Sequence, residues 1–408
     1  MKCRHCNIEL SLQLIDLGAA PLSNAYLTRM TLHMPEKYYP LRVLICDKCW
    51  LVQTEDYVGS DELFSDNYAY FSSYSSTWLN HSEQYLTDMV QRFELNKESH
   101  IVEVAANDGY LLQYANKRGI PCLGIEPTAS TANTARTKGI EIIEAFFGVK
   151  LAHQLVKQGR QADLIAANNV LAHVPNINDF VSGFAILLKP AGVATFEFPH
   201  LLRMISDNQF DTIYHEHFSY LSFTTTVKIF SANGLSVFDV EELGTHGGSL
   251  RVFAQRKDTK KYPINKKVPE LLGREVTVGI NDTTYYKSFQ TQSDKIKNDF
   301  LAFLLEVKKA GKTVAGYGAA AKGNTLLNYA GVRPDLLPYV VDRNPAKQDK
   351  FLPGSRIPIV TEEHLKQSRP DYVVILPWNL RSEVMVQMAY IREWGGQFVT
   401  AVPSLEVR

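Results

Sequence analysis

From residue 101 onward, short apolar runs alternate with segments of helical periodicity, and this alternation constrains the fold more than any other feature. Each run is followed by a turn, and then by apolar positions that recur at helical spacing. The strands predicted in this region are Ile101 to Ala105, PCLGIEP up to Glu126, Leu164 to Ala167, VATFEFP, and GGSLRVFAQ as a late strand. Strand, loop and helix in repeated succession predict an α/β fold with a doubly wound parallel sheet.

A second α/β unit is predicted beyond a long amphipathic helix near residues 288–310. Its strands lie within TVAGYGAAAKGNTLLNYAG, LPYVVDRNP, DYVVILPWN and QFVTAVP. A chain of 408 residues exceeds the usual size of one hydrophobic core, so several domains are expected.

Four of the five cysteines form two C-x-x-C pairs, Cys3 with Cys6 and Cys46 with Cys49. The short spacing lets one turn present two thiolates to an ion, and two such turns complete the tetrahedron that zinc prefers. Four thiolates leave zinc no open position, so the predicted role is structural. A redox C-x-x-C is the alternative, and the extended β-like stretch between the pairs argues against it. Residues up to about 60 are therefore predicted to form a β-rich zinc module.

The 43 basic residues balance the 43 acidic ones, which argues against a surface held to nucleic acid or membrane by bulk charge. No apolar run approaches the roughly 20 residues that span a bilayer, and MKCRHC is unlike a signal peptide. These features predict a soluble, cytoplasmic enzyme with a small-molecule substrate. They indicate no nucleic acid, no membrane and no obligate protein partner.

The loop after the strand at residue 101 is a candidate cofactor site. Ligands of doubly wound sheets bind beyond the carboxyl ends of the strands, where Glu103, Asn107, Asp108 and Gly109 are expected. Glu126 ends the next strand, from which a carboxylate can accept hydrogen bonds from ribose hydroxyls. The loop has one glycine and no pyrophosphate cradle, which favours S-adenosylmethionine over NAD. An ordinary turn with capping Asn and Asp is the alternative.

The segment DTIYHEHFSYLS crowds Tyr214, His215, Glu216 and His217 into four consecutive positions. Imidazole titrates near neutrality, so a histidine here is a candidate general base. A neighbouring glutamate can orient the ring and hold its tautomer. Histidines that only pack and bond to the backbone are one alternative, and a His-x-His metal site without an obvious third ligand is another.

The stretch GYGAAA, residues 316–321, satisfies G-x-G-x-x-A after a predicted strand, and Asp342 ends the following strand. This pattern is typical of dinucleotide sites and keeps an NAD-dependent oxidoreductase open. Lys322 and Asn324 are placed to reach a diphosphate instead, with the helix-start amides. A glycine turn without a ligand is the third interpretation.

Several motifs in one order closely resemble the S-adenosylmethionine-dependent sugar C-methyltransferases. They are VEVAANDGYLLQY, GIEPTASTANTA, ADLIAANNVLAHVPNINDF, FEFPHLL, IYHEHFSYLS, HGGSLRVFAQ and GYGAAAKGNT, together with the cysteine pairs. The resemblance covers essentially the whole chain. It implies an N-terminal zinc module, a central class I methyltransferase domain and a C-terminal Rossmann-like domain. A small departure is the Ala-Ala before Asn107, where the family commonly has Ala-Ser or Gly-Ser.

The family methylates C-3 of a TDP-linked 4-keto-6-deoxysugar, and the resemblance implies roles for individual residues. His217 corresponds to the catalytic base, with Glu216 and Tyr214 beside it. Tyr68 and His173 are implied in binding or polarising the keto group. Asn168 is expected at the cofactor, and Asn169 at the substrate with Lys322 and Asn324.

The predicted domains are a zinc module over 1–65, a methyltransferase domain over 66–285, and a Rossmann-like domain over 286–408. We expect the last to contribute to nucleotide-sugar binding, with Lys322 at the TDP pyrophosphate. The predicted cofactors are S-adenosylmethionine and structural zinc. C-5 methylation of a related nucleotide sugar and an NAD-dependent nucleotide-sugar oxidoreductase are the alternatives.

Overall fold

The computed structural model describes residues 1–59 and 71–408, whose strands form three sheets. The first is a small antiparallel sheet near the N-terminus, and the other two are dominated by parallel pairs. The predicted α/β class, with a cysteine-rich module before two α/β units, is confirmed.

The first sheet has the strand order β1-β2-β3-β9. Its strands are β1 (Leu12–Ala20), β2 (Tyr39–Ile45), β3 (Val52–Thr54) and β9 (Ser219–Tyr220). In β2, Leu41, Val43 and Ile45 recur with the two-residue period of a strand, and all three are buried. Cys3 and Cys6 precede β1, and Cys46 and Cys49 lie in the connection from β2 to β3. The unforeseen member is β9, which comes from the segment that follows His217.

The second sheet has the order β10-β11-β8-β7-β4-β5-β6. Its strands are β4 (Ile101–Val104), β5 (Cys122–Ile125), β6 (Ile142–Ile143), β7 (Ala162–Asn168), β8 (Leu188–Pro199), β10 (Leu235–Leu243) and β11 (Ser249–Arg256). Strands β4 to β8 pair in parallel. The late strand predicted at GGSLRVFAQ is β11, which is antiparallel to both of its neighbours, β10 and β8.

Helices cover this sheet and connect its strands. They are α1 (Ser76–Phe93), α2 (Leu112–Lys117), α3 (Ala129–Thr137), α4 (Val149–Lys157), α5 (Ile177–Leu187), α6 (Leu201–Ser206), α7 (Phe223–Ala232), α8 (Lys267–Val278) and α9 (Thr283–Tyr286). Short 3₁₀ turns at Ser72–Tyr74, Leu171–His173, Phe210–Thr212 and Thr245–Gly247 lie in the connections. The second and third of these turns approach the histidine segment.

The third sheet has the order β14-β13-β12-β15-β16-β17. Its strands are β12 (Val314–Tyr317), β13 (Val340–Val341), β14 (Ile359–Val360), β15 (Tyr372–Ile375), β16 (Gln397–Thr400) and β17 (Glu406–Val407). The helices are α10 (Phe289–Lys309), α11 (Ala321–Tyr329), α12 (Glu362–Ser368) and α13 (Arg381–Gln387), with 3₁₀ turns at Trp378–Leu380 and Ala389–Trp394. Among the helices described, none combines the length and apolar composition that crossing a bilayer requires.

The zinc module and the C-terminal unit share one hydrophobic core. Ile15 of β1, Phe300 and Leu304 of α10 and Leu327 of α11 are buried in the same cluster. Burying each such side chain contributes about 1.5–3 kcal/mol. The first and last parts of the chain therefore pack together, and the histidine segment lies where they meet the second sheet.

Candidate active site

The four paired cysteines converge on one point. Their sulfur atoms all lie within 4.8 Å of one another. Cys3 Sγ is 3.5 Å from Cys49 Sγ, and Cys6 Sγ is 3.4 Å from Cys46 Sγ. Sulfur atoms at these separations fit the corners of a tetrahedron around zinc, so the donor set matches a closed structural site.

Both ring nitrogens of His217 have defined partners. Nδ1 lies 2.8 Å from the carbonyl oxygen of Thr212, and Nε2 lies 2.7 Å from the Tyr214 hydroxyl. A carbonyl oxygen only accepts, so Nδ1 carries the proton and Nε2 presents a lone pair to the phenol. This is the tautomer that a general base acting through Nε2 requires.

The surroundings of His217 favour its neutral form. Burial lowers its pKa well below the ordinary value, and the neighbouring His173 and, to a smaller extent, Lys322 lower it further. His173 lies edge-on to His217 with ring centroids 4.7 Å apart, and burial lowers the pKa of His173 to about 4. A buried imidazole that stays neutral near pH 7 has its lone pair available to a proton.

Glu216, which we expected to orient the His217 ring, has a partner in the zinc module. Its carboxylate oxygen Oε1 accepts a hydrogen bond of 2.5 Å from the Asn24 side chain in the zinc module. The His217 tautomer is fixed by the hydrogen bond from its Nδ1–H to the Thr212 carbonyl. Successive residues of an irregular segment point to different sides, which explains why Glu216 and His217 face different partners.

His215 points away from His217. Its Nε2 lies 3.3 Å from the carbonyl oxygen of Tyr39 and 3.2 Å from that of Pro40. The two histidines therefore do not form a His-x-His metal pair. His215 is a packing residue, as one of the alternative interpretations held.

A cradle of buried oxygens lies at the carboxyl ends of β4 and β7, where the cofactor was predicted. Within residues 1–59 and 71–408, the Glu103 carboxylate and the Oδ1 atoms of Asp108, Asn168 and Asn169 make no hydrogen bond of good geometry. Burial raises the pKa of Glu103 well above its ordinary range, which the nearby Tyr110 hydroxyl offsets only in part. Buried acceptors without donors are costly, so this cradle suits a ligand rich in donors and positive charge. S-adenosylmethionine, with its ammonium, sulfonium and ribose hydroxyls, has that chemistry.

Three predicted cofactor residues also have roles within the protein. Glu126 accepts hydrogen bonds from the backbone N–H groups of Asn107 (2.9 Å) and Thr128 (3.0 Å), and burial raises its pKa. Asn107 itself has φ of 47° and accepts from the Ser72 backbone at 2.9 Å. Gly109 has φ of 75°, and a Cβ there would lie 2.4 Å from an Ile140 carbon. Glycine is therefore needed here for close packing.

Tyr68, implied in binding the keto group, lies outside the described residues. The nearest described segment, residues 71–75, runs beside the cofactor cradle. There the Ser73 backbone N–H lies 3.3 Å from the Asp108 carboxylate, and Lys138 donates to the Ser73 hydroxyl at 2.8 Å.

Lys322 lies near enough to His217 and His246 for its charge to lower their pKa values. Its Nζ donates to the Asn379 side chain at 2.7 Å and lies 4.7 Å from the centre of the Trp378 ring. Trp378 Nε1 donates to the buried carboxylate of Asp211 at 2.8 Å. Burial raises the pKa of Asp211 to about 6, which Lys322 and Trp378 offset in part. The cluster joins the start of the histidine segment to the C-terminal unit.

The rest of the second glycine loop is turned inward. Asn324 is 1% exposed and donates to the Ser23 carbonyl at 2.6 Å, so it does not present its amide to a ligand as we predicted. The backbone N–H of Ala319 donates to the Asp342 carboxylate at 2.8 Å, and the Ala319 carbonyl accepts from Tyr26 at 2.7 Å. The Asp342 carboxylate is therefore bonded to the glycine loop itself, which disfavours the dinucleotide interpretation.

Four residues near these clusters were missed by sequence reasoning. Asp211 begins the quoted histidine segment, Trp378 lies near the end of the strand-bearing DYVVILPWN, and His246 opens HGGSLRVFAQ, so those motifs contained a usable signal. His246 has φ of 55°, and burial lowers its pKa to about 4. Asn24 belongs to no motif, and only the fold brings it to Glu216.

Comparisons with known proteins agree with this organisation. Three family profiles match in order along the chain, described as "Putative zinc binding domain" over residues 3–64, "Methyltransferase domain" over 78–240 and "C-methyltransferase C-terminal domain" over 244–403. The C-methyltransferase NovU of Streptomyces niveus is 32% identical over 406 residues, covering 100% of this chain and 96% of that protein.

Solved structures show only a distant likeness. The magnesium protoporphyrin IX methyltransferase of Synechocystis PCC 6803 with bound SAM has a TM-score of 0.36 and 14% identity over 50% of this chain and 100% of that chain. An S-adenosylmethionine-dependent methyltransferase of Clostridium acetobutylicum has a TM-score of 0.36 and 11% identity over 44% of this chain and 92% of that chain. Scores this low support no argument, so the assignment rests on the sequence matches. By these matches the chain belongs to the C-methyltransferase family, as an S-adenosylmethionine-dependent enzyme with a four-cysteine structural zinc site.

Proposed function

We propose that this enzyme transfers a methyl group to C-3 of a TDP-linked 4-keto-6-deoxysugar through an enolate. The observation that carries the proposal is the geometry of His217, whose Nδ1 is bonded to the Thr212 carbonyl and whose pKa is lowered by burial. Carbon becomes nucleophilic only by losing a proton next to a carbonyl, and a 4-keto group makes C-3 such a carbon. A histidine base with a preset tautomer supplies that step.

In the proposed reaction Nε2 of His217 takes the C-3 proton, and the C–H electron pair moves toward C-4 to place negative charge on its oxygen. The Tyr214 hydroxyl, now bound to Nε2, is released when substrate enters and donates to that oxygen. Lys322 adds positive charge on the same side. Preorganised donors of this kind commonly contribute about 2.7–4 kcal/mol each to a transition state.

When bound, S-adenosylmethionine would supply an electrophilic sulfonium methyl group to the C-3 carbanion, with S-adenosylhomocysteine as the leaving group. Glu103, Asp108 and Asn168 are proposed to hold its polar groups, since each has a buried oxygen without a well-placed donor. Glu126, Asn107 and Gly109 are proposed to shape the loop. His173, stacked edge-on against His217, is proposed to exclude water from the base.

The nucleotide is proposed to lie between the second and third sheets, against Lys322, Trp378 and Asn169. We retain the proposed domain boundaries after residues 65 and 285, and we propose that the domain over 286–408 takes part in substrate binding. Lys322 supports two roles, at the pyrophosphate or at the C-4 oxygen, and its influence on the pKa of His217 favours the second. For Lys322→Met, a loss confined to kcat indicates the C-4 oxygen, and a rise in the substrate KM alone indicates the pyrophosphate.

The proposal is tested by mass spectrometry of products from a panel of TDP-4-keto-6-deoxysugars incubated with S-adenosylmethionine. We expect one methyl group added to carbon, with equimolar S-adenosylhomocysteine. NMR of the same substrates in deuterated buffer should show hydrogen exchange at C-3. Exchange and methylation at C-5 instead would move the site of reaction, and no methylated sugar from any member would refute the proposal.

A further inference from the structure

The backbone around His217 is held by hydrogen-bond donors from the zinc module. The Thr54 hydroxyl donates to the carbonyl of His217 itself. The Thr54 backbone N–H donates to the next carbonyl, that of Phe218, at 3.2 Å. Nε of Arg4 donates to the same Phe218 oxygen at 3.3 Å. The backbone at the base and at the residue after it, His217 and Phe218, is therefore held by the N-terminal module.

Arg4 lies between the first two zinc ligands and is itself tightly bound. Its guanidinium pairs with both carboxylate oxygens of Asp56, donates to the Thr54 carbonyl at 2.9 Å, and lies 4.9 Å from the centre of the Phe218 ring. Only 4% of its side chain is exposed, against 49% for Asp56. A planar guanidinium with several partners fixes geometry in a way that a flexible ammonium does not.

The position of Arg4 depends on the cysteine knuckle. Its backbone N–H donates to the Gln53 side-chain oxygen at 2.9 Å, and the Gln53 amide nitrogen lies 3.4 Å from Cys3 Sγ. Gln53 belongs to β3, which pairs with Ser219 and Tyr220 of β9. One continuous set of hydrogen bonds thus runs from a zinc ligand to the residues directly after the base.

We propose that the zinc module positions the catalytic base, and that Arg4 is the positioning residue that connects the two. The inference rests on the proposed function of His217. Without the Arg4 contact, the Phe218 carbonyl loses one of its two donors, and the His217 backbone can shift relative to the Thr212 carbonyl. A misplacement of about 1 Å at a catalytic group costs about 100-fold in rate, so we expect a 10- to 100-fold loss of C-3 deprotonation.

The test uses Arg4→Ala and Asp56→Asn in the full-length, zinc-loaded protein. Asp56→Asn leaves Arg4 in place but removes its ionic partner at a half-exposed position. Arg42→Ala is the matched control, because Arg42 forms an ion pair with Glu55 in the same module at 2.7 Å without contacting the His217 segment. Zinc content and affinity for S-adenosylmethionine are measured for each variant.

Two readouts report on the base. The first is loss of deuterium from C-3 of the TDP-keto sugar in the absence of methyl donor. The second, which needs no substrate, is the ¹⁵N NMR signal of the His217 ring, assigned by its absence in His217→Asn. We expect Arg4→Ala and Asp56→Asn to slow exchange and to reduce the population of the Nδ1–H tautomer, with zinc content and cofactor affinity unchanged. Arg42→Ala should match the wild type in both.

Wild-type exchange rates and tautomer in both variants would overturn the inference, and so would an equal loss in Arg42→Ala. If Arg4→Ala loses zinc, the inference is judged on the exchange rate and tautomer of Asp56→Asn. A wild-type enzyme that exchanges no substrate hydrogen would instead refute the proposed function, while the NMR signal still tests the positioning role.

Discussion

Replacing His217 by asparagine removes the proposed base while keeping much of its local bonding. An asparagine amide can still donate to the Thr212 carbonyl, which now lies 2.8 Å from Nδ1. The atom that is lost is Nε2, with its lone pair and its contact of 2.7 Å to the Tyr214 hydroxyl. The change therefore separates proton transfer from the structure of the segment.

The expected loss follows from these contacts. General-base catalysis contributes about 100- to 10,000-fold, which corresponds to about 2.7–5.4 kcal/mol of activation free energy. The lost hydrogen bond between two neutral groups contributes about 0.5–1.5 kcal/mol to stability. Deprotonation at C-3 should thus fall by at least two orders of magnitude, while the melting temperature falls by only a few degrees.

The assay is NMR of hydrogen exchange at C-3 of a TDP-4-keto-6-deoxysugar, with cofactor affinity measured by calorimetry. His215→Asn is the matched control, because it makes the same substitution two residues away on a ring that faces the Tyr39 and Pro40 carbonyls. We expect His215→Asn to exchange at close to the wild-type rate. Full-rate exchange in His217→Asn, or equal losses in the two variants, would show that another group takes the proton.

Three further predictions follow from burial, metal binding and backbone geometry. Because burial lowers the pKa of His217, the neutral base persists as pH falls below about 6.5, so kcat/KM should keep its plateau there. Lys322→Met removes a nearby positive charge, so it should raise the pKa of His217 and move the acid limb of the kcat/KM profile to higher pH. An unchanged acid limb would show that the Lys322 charge does not act on His217. Removing zinc with a chelator should free the four thiolates, loosen the first sheet and abolish C-3 exchange, with recovery when zinc is returned; full exchange in zinc-free protein would contradict this. Gly318→Ala should lower the free energy of unfolding, measured in urea, by more than the same change at Gly331. Both have positive φ (88° and 67°), which costs about 1–2 kcal/mol, but only at Gly318 would the new Cβ lie 2.5 Å from a proline carbon; equal losses would refute the clash.

The sequence by itself determined the local structure and the type of chemistry. Helical and strand periodicities placed β4, β7 and α10 within a few residues, because those patterns depend on which face of an element is buried. The spacing of the cysteine pairs defined a tetrahedral thiolate site without any long-range information. The motif around His217 indicated a base, and its resemblance to a family supplied the reaction.

Only the tertiary structure decided which groups act together. Glu216 is adjacent to His217 in the chain, yet it bonds to Asn24, and the tautomer of His217 depends on the Thr212 carbonyl. The charge of Lys322 acts on His217 because α11 packs beside the Phe210–Thr212 turn, where the Thr325 hydroxyl donates to the Ile213 carbonyl at 2.8 Å. The contacts of Glu216 and Thr325 join residues distant in sequence, and the Thr212 contact uses a backbone carbonyl, which carries no residue-specific signal. Spacing along a chain fixes periodicity and short-range ligand geometry, whereas the partner of a buried polar group is set by how separate elements pack.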